Sequence, residues 1–499
     1  MKDIGPAVRL KHMVFFSLFV CVLTAGKPRS LDPSAKMIGS LSLPRQFGDC
    51  KDCTIKATPE SLTGSEDWVE VTIAGVSYGS AEDWVGAFAP GDVDPGGSIR
   101  RFPIRYQRAT TSCWPRDEAP LSPERTCAGE ACCMPNDYLG TGAATLRFQL
   151  VNLREDYVFA LIQGSAQYPL TVAISSPVSF ARPAAPTQVH IALVAEEARM
   201  RISWTSANSS GFRAAPPAVR WGRVPGVFTD GSALASASTY KAEQLCSYGG
   251  PARGLGWRDP GLLWTATIGP LLGGTRYYYT VGSDSPDSGW SHDRSGGDFS
   301  FVTLMDKQPT SARILAFGDM GKAPSAWDGS LEHSWDNNDH GEIGSWNTTL
   351  LLRKEVLGSA CSPRSAECHR SPDAVLHIGD ISYAVGYASE WDEFMMQIEP
   401  VAARVPWMTT DGNHERNCFC VKPPQTAVAA GINWLNGSDS GGVTATWPVF
   451  VPRRCRTDSP GRPMWQVNAA CRMKRGSSCR SQLKTHRGIP FASDLSQLC

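Results

Sequence analysis

The chain has 499 residues, 42% of them hydrophobic and 19% charged, with 48 Lys/Arg balancing 48 Asp/Glu. At ~100–200 residues per domain, this length calls for about three cores rather than one. A formal net charge of zero removes any bulk electrostatic argument for a nucleic-acid or membrane-surface partner.

Residues 1–26 have the pattern of a secretory leader. Lys2, Arg9 and Lys11 are basic, and Met13 to Ala25 is an apolar run. That run suits a signal's hydrophobic region of ~7–15 residues and falls short of the ~20 that span a bilayer. No other apolar stretch is long enough to cross a membrane. Export to the extracellular space or the vacuole is expected, and 16 Cys fit an oxidising compartment. Cys113/Cys127 and Cys361/Cys368 are spaced like local loop closures. Cys50-x-x-Cys53 has no second pair beside it and is read as a structural disulfide rather than a zinc or redox motif. Sequons at Asn208, Asn347 and Asn436 are candidate glycosylation sites.

From about residue 50 to 182, short alternating or apolar runs are broken by Gly, Pro and Asp. Trp68–Ile73, Trp84–Phe88 and Leu146–Leu150 are examples, and they predict an antiparallel sandwich within an N-terminal β domain of residues 27–182. Arg182-Pro-Ala-Ala-Pro186 is a linker. A second β domain, 183–305, carries Arg201–Trp204, Val219–Gly222 and Tyr277–Val281. These have the look of a fibronectin type III sandwich, with a core Trp and a Tyr at a corner.

After Ala312 the pattern changes. Ile314–Phe317 runs into Gly318-Asp319, Val375–Ile378 into Gly379-Asp380, and Val405–Thr409 into Gly412-Asn413-His414-Glu415. Between the last two lies a predicted helix opened by Ser389-Glu-Trp-Asp392, a capping-box spacing, with Trp391, Phe394, Met395 and Ile398 on one face. A further helix is expected from Thr349 to Leu357. Strands alternating with helices imply a largely parallel sheet, whose ligands gather at the carboxyl ends of its strands. All three polar clusters fall there. Singly, each Gly-Asp is as good a turn as a site. Together, Asp319, Asp380, Tyr383, Asn413 and His414 are oxygen and nitrogen donors suited to hard or borderline metal ions.

Gly318-Asp-Met-Gly321, Gly379-Asp-Ile-Ser-Tyr383 and Gly412-Asn-His-Glu415 resemble the first three of five motifs of the purple acid phosphatases of the long plant and algal type. The likeness runs from about residue 50 to Gly442 and includes Gly256–Gly261, Gly318–Ala323 and Trp391–Phe394. It implies two N-terminal β-sandwiches followed by an α/β calcineurin-like metallophosphoesterase domain, of which residues 312–442 form the first half. It further implies an acid phosphatase that hydrolyses small phosphate monoesters with a dinuclear Fe(III)–M(II) centre, M being iron, zinc or manganese, and a metal-bound hydroxide. By the same resemblance Asp319 and Tyr383 ligate the trivalent ion, Asp380 bridges, Asn413 ligates the divalent ion, and His414 contacts substrate phosphate and helps protonate the leaving group.

The family pattern also asks for three His ligands, in V-x-x-H and G-H-x-H. Of nine His, only His486 follows the third cluster. Leu483-Lys-Thr-His486-Arg487 echoes V-x-x-H-R only in outline. Residues 451–499 hold ten Lys/Arg and two Asp/Glu, with four Cys and no clear period. The stretch 443–499 therefore resembles out-of-frame or intron-derived sequence, and this chain is expected to be weakly active or inactive. A phosphodiesterase or nucleotide pyrophosphatase on the same metal pair, and a non-catalytic β-sandwich binding protein, are the competing readings.

Overall fold

The computed structural model describes residues 50–410 and 412, apart from 51, 95–98, 116–117, 119–125, 129–130, 165–168, 196–197, 243–253, 255, 294–295, 305–311, 323–343, 359–370 and 385–386. In the first domain, Glu66–Ala74 lies between Thr54–Thr58 and Ala144–Val151 in an antiparallel sheet. Its alternation puts Val69, Val71 and Ile73 inside. A second sheet runs Leu170–Ile174, Val158–Gln163, Trp84–Phe88, Arg105–Arg108. Val85, Ala87, Phe159 and Leu161 join the shared core, and Trp84, Phe88, Ala160 and Ile162 form a separate apolar cluster. Both sets are buried, which explains why Trp84–Phe88 is a continuous apolar run rather than an alternating one. Tyr157 donates from its buried hydroxyl to the Val151 carbonyl at 2.9 Å, fastening the corner between two strands.

Cys113 pairs with Cys133, not with Cys127 as its loop spacing predicted. The two face each other in the ladder between Thr111–Pro115 and Ala131–Pro135, so strand register selected the partner. Cys50 and Cys53 are bonded to each other, as expected. Cys361 and Cys368 lie outside the described residues.

The second domain packs a four-stranded antiparallel sheet (Thr187–Leu193, Met200–Ser206, Leu262–Ile268, Ser236–Ser238) on a five-stranded one built around Ala218–Gly222 and Arg276–Ser283. Trp204 is buried against Trp264. The Tyr277 hydroxyl accepts from the Leu272 amide at 3.0 Å, which makes it the corner tyrosine foreseen in the sequence. The linker is tied down, since Asn152 Nδ2 donates to the Pro183 carbonyl at 3.2 Å.

The third domain is a parallel sheet with Ala374–His377 at its centre, flanked by Ile314–Phe317 and Trp407–Thr409. One helix spans Gly344–Leu357, five residues earlier in its start than predicted. The other spans Ala388–Ala402 and buries Phe394, Met395 and Ile398 on the foreseen face. Its capping box does not form. The helix begins at Ala388, so Ser389 lies inside it, and the Ala388 amide is satisfied by the Gly256 carbonyl at 2.8 Å. Glu390, Asp392, Glu393, Gln397 and Glu399 are buried too, so this helix is enclosed on nearly every side.

Beyond its own domain, the two sandwiches supply the enclosure. Arg154 of the first reaches Asp392 bidentately at 2.9 and 2.8 Å, and Gln188 of the second donates to the same carboxylate at 2.6 Å. The Val189 amide donates to Glu399 at 2.9 Å, and Tyr279 donates to the Ala403 carbonyl at 2.6 Å. The Gly256–Gly261 stretch joins the same junction, its Arg258 buried and paired with Glu155 at 2.8 Å and Asp92 at 3.4 Å.

Candidate metal centre

The first two parallel strands each end in a turn that raises a donor above the sheet. Asp319 follows Ile314–Phe317 after one glycine, and Asp380 follows Ala374–His377 after Ile378 and Gly379. The backbone binds these turns to each other: Asp319 N–H donates to the Gly379 carbonyl at 3.2 Å and Gly321 N–H to the Ile381 carbonyl at 2.9 Å. Asp319, Asp380 and Tyr383 all have left-handed backbones, with φ of 54°, 48° and 52°. Asp tolerates that region; an aromatic residue rarely enters it, and each such residue costs roughly 1–3 kcal/mol unless its surroundings impose it. Strain gathered at three predicted donors singles these turns out as a candidate site.

The strained turns bring three oxygens together. Tyr383 donates from its hydroxyl to Asp319 Oδ1 at 2.9 Å and lies 3.4 Å from Asp380 Oδ2. Asp380 is buried and Asp319 is exposed, so the cluster opens outward on the Asp319 side. Gly412 closes the other side. A Cβ there would sit 2.0 Å from Asp380 Oδ1 and 2.3 Å from Asp380 N, so only glycine lets the third strand's turn come this near. Asn413 and His414 follow immediately and lie outside the described residues.

Beneath the cluster, His377 is fully buried among Phe317, Phe394 and Trp407. Burial pushes its pKa down to about 3 against the opposing pull of Asp380, so the ring is neutral across the physiological range. Among the described residues, no three His, Cys, Asp or Glu side chains assemble for a metal. The set present is two carboxylates and a phenol. All-oxygen donors, two of them anionic, suit a hard cation, and a phenol as the third favours a strongly Lewis-acidic one.

Sequence reasoning missed the groups that back the first turn. Lys322 is buried beside Glu390 at 3.6 Å and in contact with Glu393, which also pairs with Arg105 at 2.9 Å. The Gly321 carbonyl accepts from Ser345 at 2.7 Å, and Gln397 donates to Ser345 Oγ at 2.7 Å. The available signal was the coincidence of a Lys three residues after Asp319 with two Glu in a helix of apolar periodicity. Of the sequons, Asn208 and Asn347 are exposed, and Asn436 lies outside the described residues.

Three family models match the chain in order: an Fn3-like domain from purple acid phosphatase over residues 55–182, the purple acid phosphatase N-terminal domain over 186–296, and a calcineurin-like phosphoesterase over 312–452. "Probable inactive purple acid phosphatase 27" of Arabidopsis thaliana is 35% identical over 383 residues, which are 75% of this chain and 53% of that protein. "Probable inactive purple acid phosphatase 1" of the same plant is 34% identical over 421 residues, 82% of this chain and 60% of that protein. The chain thus spans somewhat more than half the length of these relatives. A purple acid phosphatase isolated from yellow lupin (Lupinus luteus) seeds superposes with a TM-score of 0.55 at 31% identity, covering 73% of this chain and 57% of that structure. Fn3-like domain, N-terminal domain and phosphoesterase domain succeed one another along the sequence, their oxygen donors gathered at the strand ends of the third, and the chain belongs to the purple acid phosphatase family.

Proposed function

We propose that this protein is an exported, metal-dependent phosphate monoester hydrolase in which Asp319, Asp380 and Tyr383 hold a ferric ion. Asp380 and Asn413 then face a divalent iron, zinc or manganese ion, and His414 meets the phosphate of a small substrate. The observation that supports this reading is the convergence of the Tyr383 hydroxyl on Asp319 and Asp380 at 2.9 and 3.4 Å.

Such a metal pair supplies Lewis acidity at the phosphoryl group and an acidified water. The chain's own residues do the rest. A phenol of pKa about 10 gives up its proton at acid pH only to a strong Lewis acid, so Tyr383 discriminates for a trivalent ion. The buried Asp380 carboxylate would be shared by the two ions, and Gly412 packs directly against it. Asn413, being neutral, leaves the divalent ion's charge available to substrate. His414 is the proton donor to the departing alkoxide.

The experiment is optical. With ferric iron added, the purified chain is expected to develop a visible phenolate-to-iron absorption, and Tyr383→Phe to abolish it. Survival of the band in that variant removes Tyr383 from the ligand set.

A second reading, a secreted β-sandwich binding protein with a lapsed catalytic domain, is favoured by the relatives named "Probable inactive purple acid phosphatase". This reading expects a colourless protein, free of iron after purification and indifferent to added iron.

A further inference from the structure

The turn that carries Asp319 is held from two sides, and only one has a counterpart in the metal cluster. On the Asp380 side it is pinned by the Asp319 and Gly321 amides. On the far side, three residues beyond Asp319, Lys322 runs inward. Its ammonium lies 3.6 Å from Glu390 and in contact with Glu393, both near the start of the Ala388–Ala402 helix. Glu393 also takes Arg105, from the first sandwich, at 2.9 Å. All four side chains are at most 5% exposed. Two cations and two carboxylates make the buried group neutral.

Packing stability alone is a poor reason for this cluster. Taking charges out of water costs several kcal/mol per ion, and well-packed apolar residues of similar volume often do as well or better. What a buried ion group supplies is a defined position. A left-handed Asp319 needs that, because a strained turn persists only where its surroundings over-determine it.

We propose that Lys322 is a positioning residue. The Lys322–Glu390–Glu393–Arg105 cluster holds the Asp319 turn at the height above the sheet where its carboxylate meets Tyr383 and Asp380, and it refers that height to the first sandwich. The proposal rests on the metal reading of those three residues and adds to it. It gives the N-terminal domain, whose Arg105 precedes Asp319 by 214 residues, a part in setting the site's geometry.

Lys322→Met alone leaves carboxylates buried with too little counter-charge. The informative variant in the full chain is therefore Lys322→Met/Glu390→Gln, which removes one charge of each sign. Expected are a melting temperature near that of the parent and, without metal, amide exchange at residues 318–322 about tenfold faster or more, with Ala374–His377 unchanged. Ferric affinity by chelator competition is expected to fall ~10–100-fold, as for the loss of groups that orient metal ligands. Arg105→Met/Glu393→Gln cuts the same chain one link further out and reads the same quantities should the first variant not fold.

A folded variant with unchanged exchange at 318–322 overturns the proposal, and so does faster exchange with undiminished ferric affinity. A parent that takes up no ferric iron overturns the metal reading instead, and the metal-free exchange comparison then decides by itself whether Lys322 holds the turn.

Discussion

Gly412 and Asp380 sit so close that a Cβ on the glycine would lie 2.0 Å from the Asp380 Oδ1 atom. Side chain and backbone of Asp380 both crowd the same point, so alanine there cannot be accommodated by a rotamer change alone. Gly412→Ala is expected to push Asp380 off its position and weaken ferric binding by ~10-fold or more. The change lies above the sheet, and the thermal midpoint of the metal-free protein should move little. Iron titration followed by absorbance, beside a melting curve, checks both halves.

Arg154 and Asp392 form a bidentate pair with side chains only 5% and 11% exposed. Asp392→Asn leaves a guanidinium buried without its counter-charge, a loss on the order of 3–5 kcal/mol. Arg154→Met/Asp392→Leu removes both charges and should recover most of that. Denaturant unfolding of the two variants tests the pair; equal destabilisation by both would mean that lost packing, rather than an orphaned charge, dominates.

The legible parts of this molecule were those with local signals. Alternation in Trp68–Ile73 and the apolar run in Trp84–Phe88 gave strands where strands are found. Gly-Asp at the ends of two short apolar runs gave Asp319 and Asp380 together, and Tyr383 with them. What sequence could not supply was the distant partner. Cys113 chose Cys133 through register across a ladder, against the shorter loop to Cys127. Ser389 lost its capping role because the Gly256 carbonyl, from another domain, had already taken the helix's first amide. The pairing of Lys322, Glu390, Glu393 and Asp392 left no local signal, because polarity is read along one helix or turn, whereas their partners come from elements brought in from elsewhere in the chain.

Acid should weaken the second sandwich through His190. This ring is buried beside the Gln188 carbonyl at 2.6 Å, and burial lowers its pKa from 6.5 to about 4. The unfolded chain binds a proton below pH 6.5 while the folded His190 stays neutral, so falling pH favours unfolding. The stabilisation is complete above 6.5 and is lost progressively down to about 4. At ~1.4 kcal/mol for each pH unit between the two values, the loss is on the order of 3 kcal/mol. His190→Asn should flatten the stability profile across that window, as read from denaturation midpoints at pH 7, 5.5 and 4.5.

Turnover of a chromogenic phosphate monoester at pH 5 by this sequence is expected to be at least ~100-fold below that of a version whose residues after Gly442 supply V-x-x-H and G-H-x-H. The reason is ligand number: on the proposed ligand set the divalent ion would draw Asp380 and Asn413 from the sequence before that point, and the residues after it in this sequence offer only His486. Parallel assays with added iron and zinc make the comparison. Equal rates would assign His486 and the cysteines of 455–499 a role in completing the site.

The enclosure of the Ala388–Ala402 helix bears on the order of events during synthesis. Its partners Arg105, Arg154, Gln188 and Val189 all precede it by some 200 residues or more, with 238 separating Arg154 from Asp392. Ribosomes extend a chain at ~5–20 residues per second, and domains fold as units from the N-terminus. Both sandwiches are therefore complete for seconds before the helix appears, and the nascent helix condenses onto a finished wall. That helix therefore settles against surfaces that were made first, and the two sandwiches act on the phosphoesterase domain as a mould for one of its faces.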